Sequence, residues 1–239
     1  MIASPQNEKL KLVRKLRERK HREREGLFAT EGEDLLDAGL AAGAQPRFLL
    51  SAAGSELGGE EVEPELLGEV SSLGSGTRAI AVWPLCWADG PQAPCVYLHG
   101  VGDPGNVGAI VRTAHALLHG SVVLGPDCAD PFSPKAVRAS MGSIFAQPPL
   151  RAELGGTPAP RVALAAHGGV GLDSLDGAQT LCLGAEREGL PDEVLAACDA
   201  VATIPLRSGG AESLNVAAAA AIAAQRISSP AMPEDAPDA

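Results

Sequence analysis

The 239-residue chain is 45% hydrophobic and 3% aromatic, carries a formal net charge of −11, and spreads 28 Gly and 19 Pro along its length. This is enough apolar material for a packed core in one large domain or two small ones, and it excludes collagen-like and low-complexity classes. The N-terminus lacks the apolar stretch of a secretory signal, and the longest apolar run, 216–224, falls far short of the ~20 residues that span a bilayer, so a cytoplasmic protein without membrane contact is expected.

Residues 1–25 hold nine Lys or Arg against four Glu, whereas 26–89 hold two Arg against eleven acidic residues. Binding to a polyanion depends on the cations at the contact, so an acidic total does not exclude a nucleic-acid partner. Leu10, Val13 and Leu16 recur at helical spacing among the N-terminal charges and predict a basic amphipathic helix over 7–24. By charge alone this is either a solvated helix face or a phosphate-binding one. "LFAT" then predicts a strand, 31–40 a helix, "RFLLS" a strand, "PELLGEVSSL" a helix and "TRAIAVWPL" a third strand, giving an alternating α/β module over 1–85. "CWADGPQAP", 86–94, reads as a linker.

From 95 the alternation resumes, with strands at "CVYLHG", "SVVLG", "RVALAAH", "TLCLGA" and "AVATIPL". Helices are expected from Asn106 to Leu118, around "SPKAVRASMG", at "PDEVLAAC" and from Glu212 to Arg226. The strands are apolar without alternating, as expected of a parallel sheet with helices on both faces. The Pro-rich acidic tail, 228–239, is expected to be disordered.

Five Cys with no C-x-x-C pair read as reduced thiols, with neither a disulfide framework nor zinc. His115 and His119 are spaced i, i+4 but no third ligand is in view, so they read as surface or packing residues and no metal is expected. Gly100, Gly102 and Gly105 satisfy G-x-G-x-x-G, with Asp127 after the next strand, the pattern of a dinucleotide-binding oxidoreductase. Against that reading, Pro104 intervenes and Asn106 is taken as the helix N-cap, leaving Gly105 outside the helix.

Three further segments place polar groups where strands end. "DPGNVGAIVRTA" delivers Asn106 and, six residues on, Arg112; "LCLGAEREGLPDEV" has a Gly-bounded loop with Glu186; "IPLRSGGAESLNVAAAAAIAA" brings Ser213 and Asn215 to a helix start. The C-terminal ends of parallel strands are where open α/β sheets bind ligands. Together, N-x-G-A-I-x-R-T-A at 106–114, G-x-E-x-x-G-L at 184–190 and I-P near S-L-N-V-A at 204–217 resemble the three motifs of the SpoU or TrmH RNA ribose 2'-O-methyltransferases of the SPOUT class. "DPFSPKAVRASMGS" resembles that family's segment between motifs, and 5–85 is similar, less specifically, to its small L30e-like substrate-binding domain.

The resemblance implies an α/β fold: a parallel-sheet SPOUT (α/β trefoil-knot) domain over 95–227 behind an L30e-like RNA-binding domain over 1–85. It implies S-adenosylmethionine as cofactor, an RNA substrate, rRNA ahead of tRNA, and a homodimer. Arg112, Asn106, Glu186, Ser213 and Asn215 would be catalytic. Leu183, Gly184, Glu186, Gly189, Ile204, Leu206, Ser213, Leu214 and Asn215 would hold the cofactor. Lys11, Arg14, Lys15, Arg17, Lys20 and Arg138 would grip RNA phosphates. A guanidinium rarely loses its proton, so Arg112 is read as stabilising the developing alkoxide rather than as the base. Ala185 stands where many members carry Asn, and the loop from Pro205 to Ser213 is slightly long for the family; both bear on cofactor contacts. The alternative is a non-catalytic RNA-binding or assembly factor that keeps the fold.

Overall fold

The computed structural model describes residues 1–74 and 76–228, so the expected acidic tail lies outside the described residues except for Ser228. The chain forms two compact units: residues 1–87, 104–112 and 130–148 make the first, and 88–103, 113–129 and the residues from 149 on make the second.

The first unit opens with α1 (Glu8–Lys15) and α2 (Arg19–Glu25), where the sequence predicts one helix. The break has a local cause. Arg22 reaches back so that one Nη donates to the carbonyls of Leu16 (2.7 Å) and Arg17 (2.8 Å), taking up backbone acceptors left at the end of α1. Then follow β1 (Leu27–Glu31), α3 (Glu33–Ala41), β2 (Phe48–Ala52), β3 (Glu60–Val62), α4 (Pro64–Val70) and β4 (Ala79–Pro84). The sheet runs β1-β4-β2-β3. β3, a three-residue edge beside β2 with Glu60 and Glu61 exposed and only Val62 buried, has no apolar pattern and is not predicted by the sequence.

Strand alternation sorts this unit's core. Ile80 and Val82 of β4 face a cluster with Leu10 and Val13 of α1, Leu16 at its C-cap and Leu67 of α4. Ala79, Ala81 and Trp83 face the other way, with Phe28, Leu35 and Leu36. That second face is covered by residues distant in sequence: Phe132, α6 (Pro134–Ser140) and α7 (Ser143–Ala146). Ring centroids of Phe28–Phe132 and Trp83–Phe145 lie 5.0 and 4.8 Å apart. Trp87, inside the expected linker, packs its ring edge-on against Phe132 at 4.8 Å, so the segment 86–94 begins as core rather than as a free connection.

Residues 104–112 of the first unit are the opening turns of α5 (Pro104–Leu117). A side chain at Gly108 would collide with the Ala136 carbonyl of α6, so this glycine permits close helix approach.

The second unit is a six-stranded, wholly parallel sheet in the order β10-β8-β9-β5-β6-β7. Its strands are β5 (Cys95–Leu98), β6 (Val122–Leu124), β7 (Leu150–Arg151), β8 (Arg161–Leu164), β9 (Thr180–Leu183) and β10 (Ala200–Ala202), with α8 (Asp192–Ala196) and α9 (Val216–Ser228) following β9 and β10. β5 and β9 are buried throughout, which explains their unbroken apolar sequence. The chain moves outward from β5 to β7, then crosses to lay down β8, β9 and β10 on the other side, so the order reverses between β5 and β9. Arg226, in the last turn of α9, pairs with Asp173 (3.2 Å) and Asp176 (2.6 Å) and ties that helix to the 172–175 turn.

Candidate functional site

Three loops leave the C-terminal ends of β8, β9 and β10, beside the reversal of strand order, where open α/β sheets form ligand crevices. The loop after β9 is a tight return: Ala185 and Gly189 exchange two backbone hydrogen bonds, 3.1 and 3.0 Å. Gly189 takes φ +70°, a left-handed conformation that suits glycine. A Cβ at Gly184 would collide with the Gly189 carbonyl. The close approach at Gly184 is therefore to its own loop, whereas the motif alone suggests an approach to the cofactor. The loop after β8 is stitched to that after β10: Gly169 N–H donates to Thr203 Oγ1 (2.9 Å) and Thr203 N–H to the Val170 carbonyl (2.8 Å).

The loops and the first turn of α9 line a half-open cavity of about 500 Å³. Of the expected cofactor residues, Leu183, Gly184, Glu186, Gly189, Ile204, Leu206, Ser213 and Leu214 line it. Asn215 is not among the lining residues; its Oδ1 accepts from the N–H of Ala217 (2.9 Å) and Ala218 (3.3 Å), capping α9. That helix starts at Val216, four residues later than expected, because the cap is Asn215 and Glu212 to Leu214 belong to the loop. Leu164, the last residue of β8, and Ala165 to His167 after it also line the cavity, and no motif in the sequence marks them. The available signal is the position of "LAAH" at a parallel strand's C-terminal end.

Asn106 and Arg112 lie on α5, in the first unit. The helix starts at Pro104, a residue suited to the first helical position, so Asn106 sits inside the first turn and is not the N-cap. Gly105 consequently lies within the helix, removing one objection to a dinucleotide site. A stronger objection is location: the cavity is lined by the loops after β8, β9 and β10, and none of Gly100, Gly102 and Gly105 lines it. Arg112 is exposed. His115 is on α5, but His119 is beyond its end with φ +54°, so the two share no helix face. Among the described residues, no group of three or more potential metal ligands is gathered.

The N-terminal cations divide into two sorts. Arg22 is buried and bonded to Asp130 through Nε (2.9 Å) and Nη2 (2.6 Å), which makes it a structural residue and removes it from the basic surface. Lys11 pairs with Glu8 and Lys20 with Glu18, at 2.8 and 2.7 Å. Arg14 and Arg17 instead donate to the neutral carbonyls of Pro5 and Val70, and Lys15 is exposed. Arg138 of α6 donates to Ser72 Oγ at 2.9 Å, two residues beyond Val70. Arg17 and Arg138 thus converge on one short segment.

The chain matches the SpoU rRNA Methylase family over residues 93–225 and an MRM3-like substrate binding domain over 7–80. It is 30% identical to the 23S rRNA (guanosine(2553)-2'-O)-methyltransferase of Bacillus subtilis, over 92% of this chain and 96% of that protein. It is 38% identical to the 23S rRNA (uridine(2479)-2'-O)-methyltransferase of Streptomyces viridochromogenes over 49% of this chain; the match spans about half of that relative, 46% of its length. Among solved structures, an AdoMet-bound rRNA methyltransferase from Sinorhizobium meliloti superposes with a TM-score of 0.82 at 28% identity, covering 94% of this chain and 96% of the other. The fold is α/β, a parallel-sheet SPOUT domain of the trefoil-knot class preceded in sequence by a small α/β domain. The chain belongs to the SpoU rRNA methylase family.

Proposed function

We propose that this protein transfers a methyl group from S-adenosylmethionine (AdoMet) to a ribose 2'-hydroxyl of structured RNA, rRNA ahead of tRNA. The observation carrying the reading is the cavity on the loops after β8, β9 and β10, in a chain of this family. The residues present suit the cofactor. The volume lies within the range of small-molecule sites, Leu183, Ile204, Leu206 and Leu214 offer apolar walls for an adenine, and the Gly184–Gly189 turn presents backbone polar groups. AdoMet supplies an electrophilic methyl on a sulfonium.

The chain's own groups position the hydroxyl and stabilise charge. Arg112 binds the developing alkoxide and the adjacent phosphate through guanidinium N–H donors, while the proton leaves to water or phosphate. Asn106 orients the ribose or Arg112, Glu186 fixes the loop after β9, and Ser213 closes the cavity. Asn215 acts at one remove, by fixing where α9 begins. The first unit grips RNA phosphates through Arg14, Lys15, Arg17 and Arg138, with Lys11 and Lys20 contributing through partly neutralised pairs. A second copy of the chain completes the enzyme as a homodimer; the exposed Ala218 and Ile222 give α9 an apolar outer face for it.

The test is calorimetric titration with AdoMet, using NADH as control, followed by transfer of labelled methyl groups to rRNA. Saturable AdoMet binding and label in ribose are expected. RNA binding without any AdoMet affinity, alone or with RNA present, would overturn the enzyme in favour of a fold-retaining RNA binder.

A further inference from the structure

We infer that Glu188 and Glu212 make the cavity discriminate by charge, holding the sulfonium cofactor more tightly than the sulfide left after methyl transfer. The inference rests on the reading of the cavity as the AdoMet site. AdoMet and its demethylated product, S-adenosylhomocysteine, share the adenosine and the amino-acid tail. They differ by one methyl and one positive charge on sulfur, giving net charges of +1 and 0 at neutral pH. Leu183, Ile204, Leu206 and Leu214 line the cavity with uncharged side chains, which cannot tell the two apart by charge. A difference in affinity must therefore come largely from charge.

The lining supplies it. Glu186, Glu188 and Glu212 face one Arg187, leaving an excess of negative charge. Glu186 already takes part in a polar or electrostatic interaction. Glu188 and Glu212 approach from different loops, after β9 and β10, and both are exposed. Exposed carboxylates act on a cation at moderate strength, and salt screens them over a Debye length of about 8–10 Å. The expected preference is therefore modest and falls as ionic strength rises. Its consequence is directional: once the methyl has left, the attraction that held the cofactor is gone, and the product departs while fresh AdoMet is drawn in.

The experiment is calorimetry on the full chain with AdoMet and with S-adenosylhomocysteine, at about 50 and about 500 mM NaCl. AdoMet affinity should fall roughly three- to tenfold with salt while that of the product stays within about twofold. In the double variant Glu188→Gln/Glu212→Gln, AdoMet should weaken by a similar factor and lose its salt dependence, with the product unchanged. Equal salt dependence of the two ligands in the native protein, or equal loss of both in the variant, overturns the inference and leaves the AdoMet site standing. Failure of the native protein to bind either ligand overturns the AdoMet reading itself, and the inference with it.

Discussion

Arg112 is exposed on α5, one helical turn beyond Gly108, whose missing side chain lets that helix approach α6. Arg112→Ala is expected to lose about 2–4 kcal/mol of transition-state stabilisation, the range for removal of one key donor, with AdoMet affinity held within about twofold. Single-turnover methyl transfer on saturated enzyme reads the first quantity and calorimetry the second; undiminished transfer would refute the role. Gly184 and Gly189 should separate in the opposite way. Gly184→Ala forces a collision with the Gly189 carbonyl and should abolish AdoMet binding by opening the turn. Gly189→Ala meets no neighbouring atom but must hold φ +70°, at a cost of about 1–2 kcal/mol. If both variants bind AdoMet normally, the turn does not shape the cavity. Both glycines are legible in the sequence as necessary, but the reason at Gly184 is not, because its neighbour is made by the loop's return rather than by a ligand.

At the scale of elements, α1 and α2 show how a tally of charges misleads when the fold is unknown. Nine cations within 1–25 look equivalent on paper, yet Arg22 is buried against Asp130, a partner 108 residues away. Truncating Arg22 to Ala leaves a carboxylate without its buried partner, so thermal unfolding should register a loss of about 3–5 kcal/mol. Neutralising Arg14, Lys15 and Arg17 together should leave stability nearly intact. It should weaken RNA binding across sequences and flatten its salt dependence by roughly one unit of slope for each phosphate that is no longer neutralised. Filter binding over a salt series distinguishes the two; an unchanged slope would return those cations to the status of a solvated face. Helix starts show a similar limit. Pro104 and Asn215 are favourable residues at α5 and α9, but several polar residues nearby could have served as the cap, and the competition is settled by which carbonyls and N–H groups the fold leaves unpaired.

For the molecule as a whole, burial of its thiols links stability to alkaline pH. Burial pushes the Cys86 thiol up to about 11 from 9.0, and burial likewise raises Cys95 and Cys128. An acid whose folded pKa exceeds its unfolded one keeps its proton in the folded state while the unfolded chain has already released it. The stabilisation is therefore complete below about pH 9 and is lost as pH rises through about 11. Denaturant midpoints should fall between about pH 8.5 and about pH 10.5, and Cys86→Ala should reduce that fall; an identical pH profile in the variant would remove Cys86 as a contributor.

The sequence by itself determined the α/β alternation, the parallel sheet and the three motif segments, because strand hydrophobicity, Gly-bounded turns and the spacing of polar residues are local properties. Only the tertiary structure decided that 130–148 covers the second face of the first sheet and that Arg22 is core. It also decided that the loop after β8 joins the cavity and that Gly184 faces its own turn. Each of these depends on residues far apart in the chain whose meeting follows from sheet order and helix packing, and no local pattern encodes which distant atoms will come together.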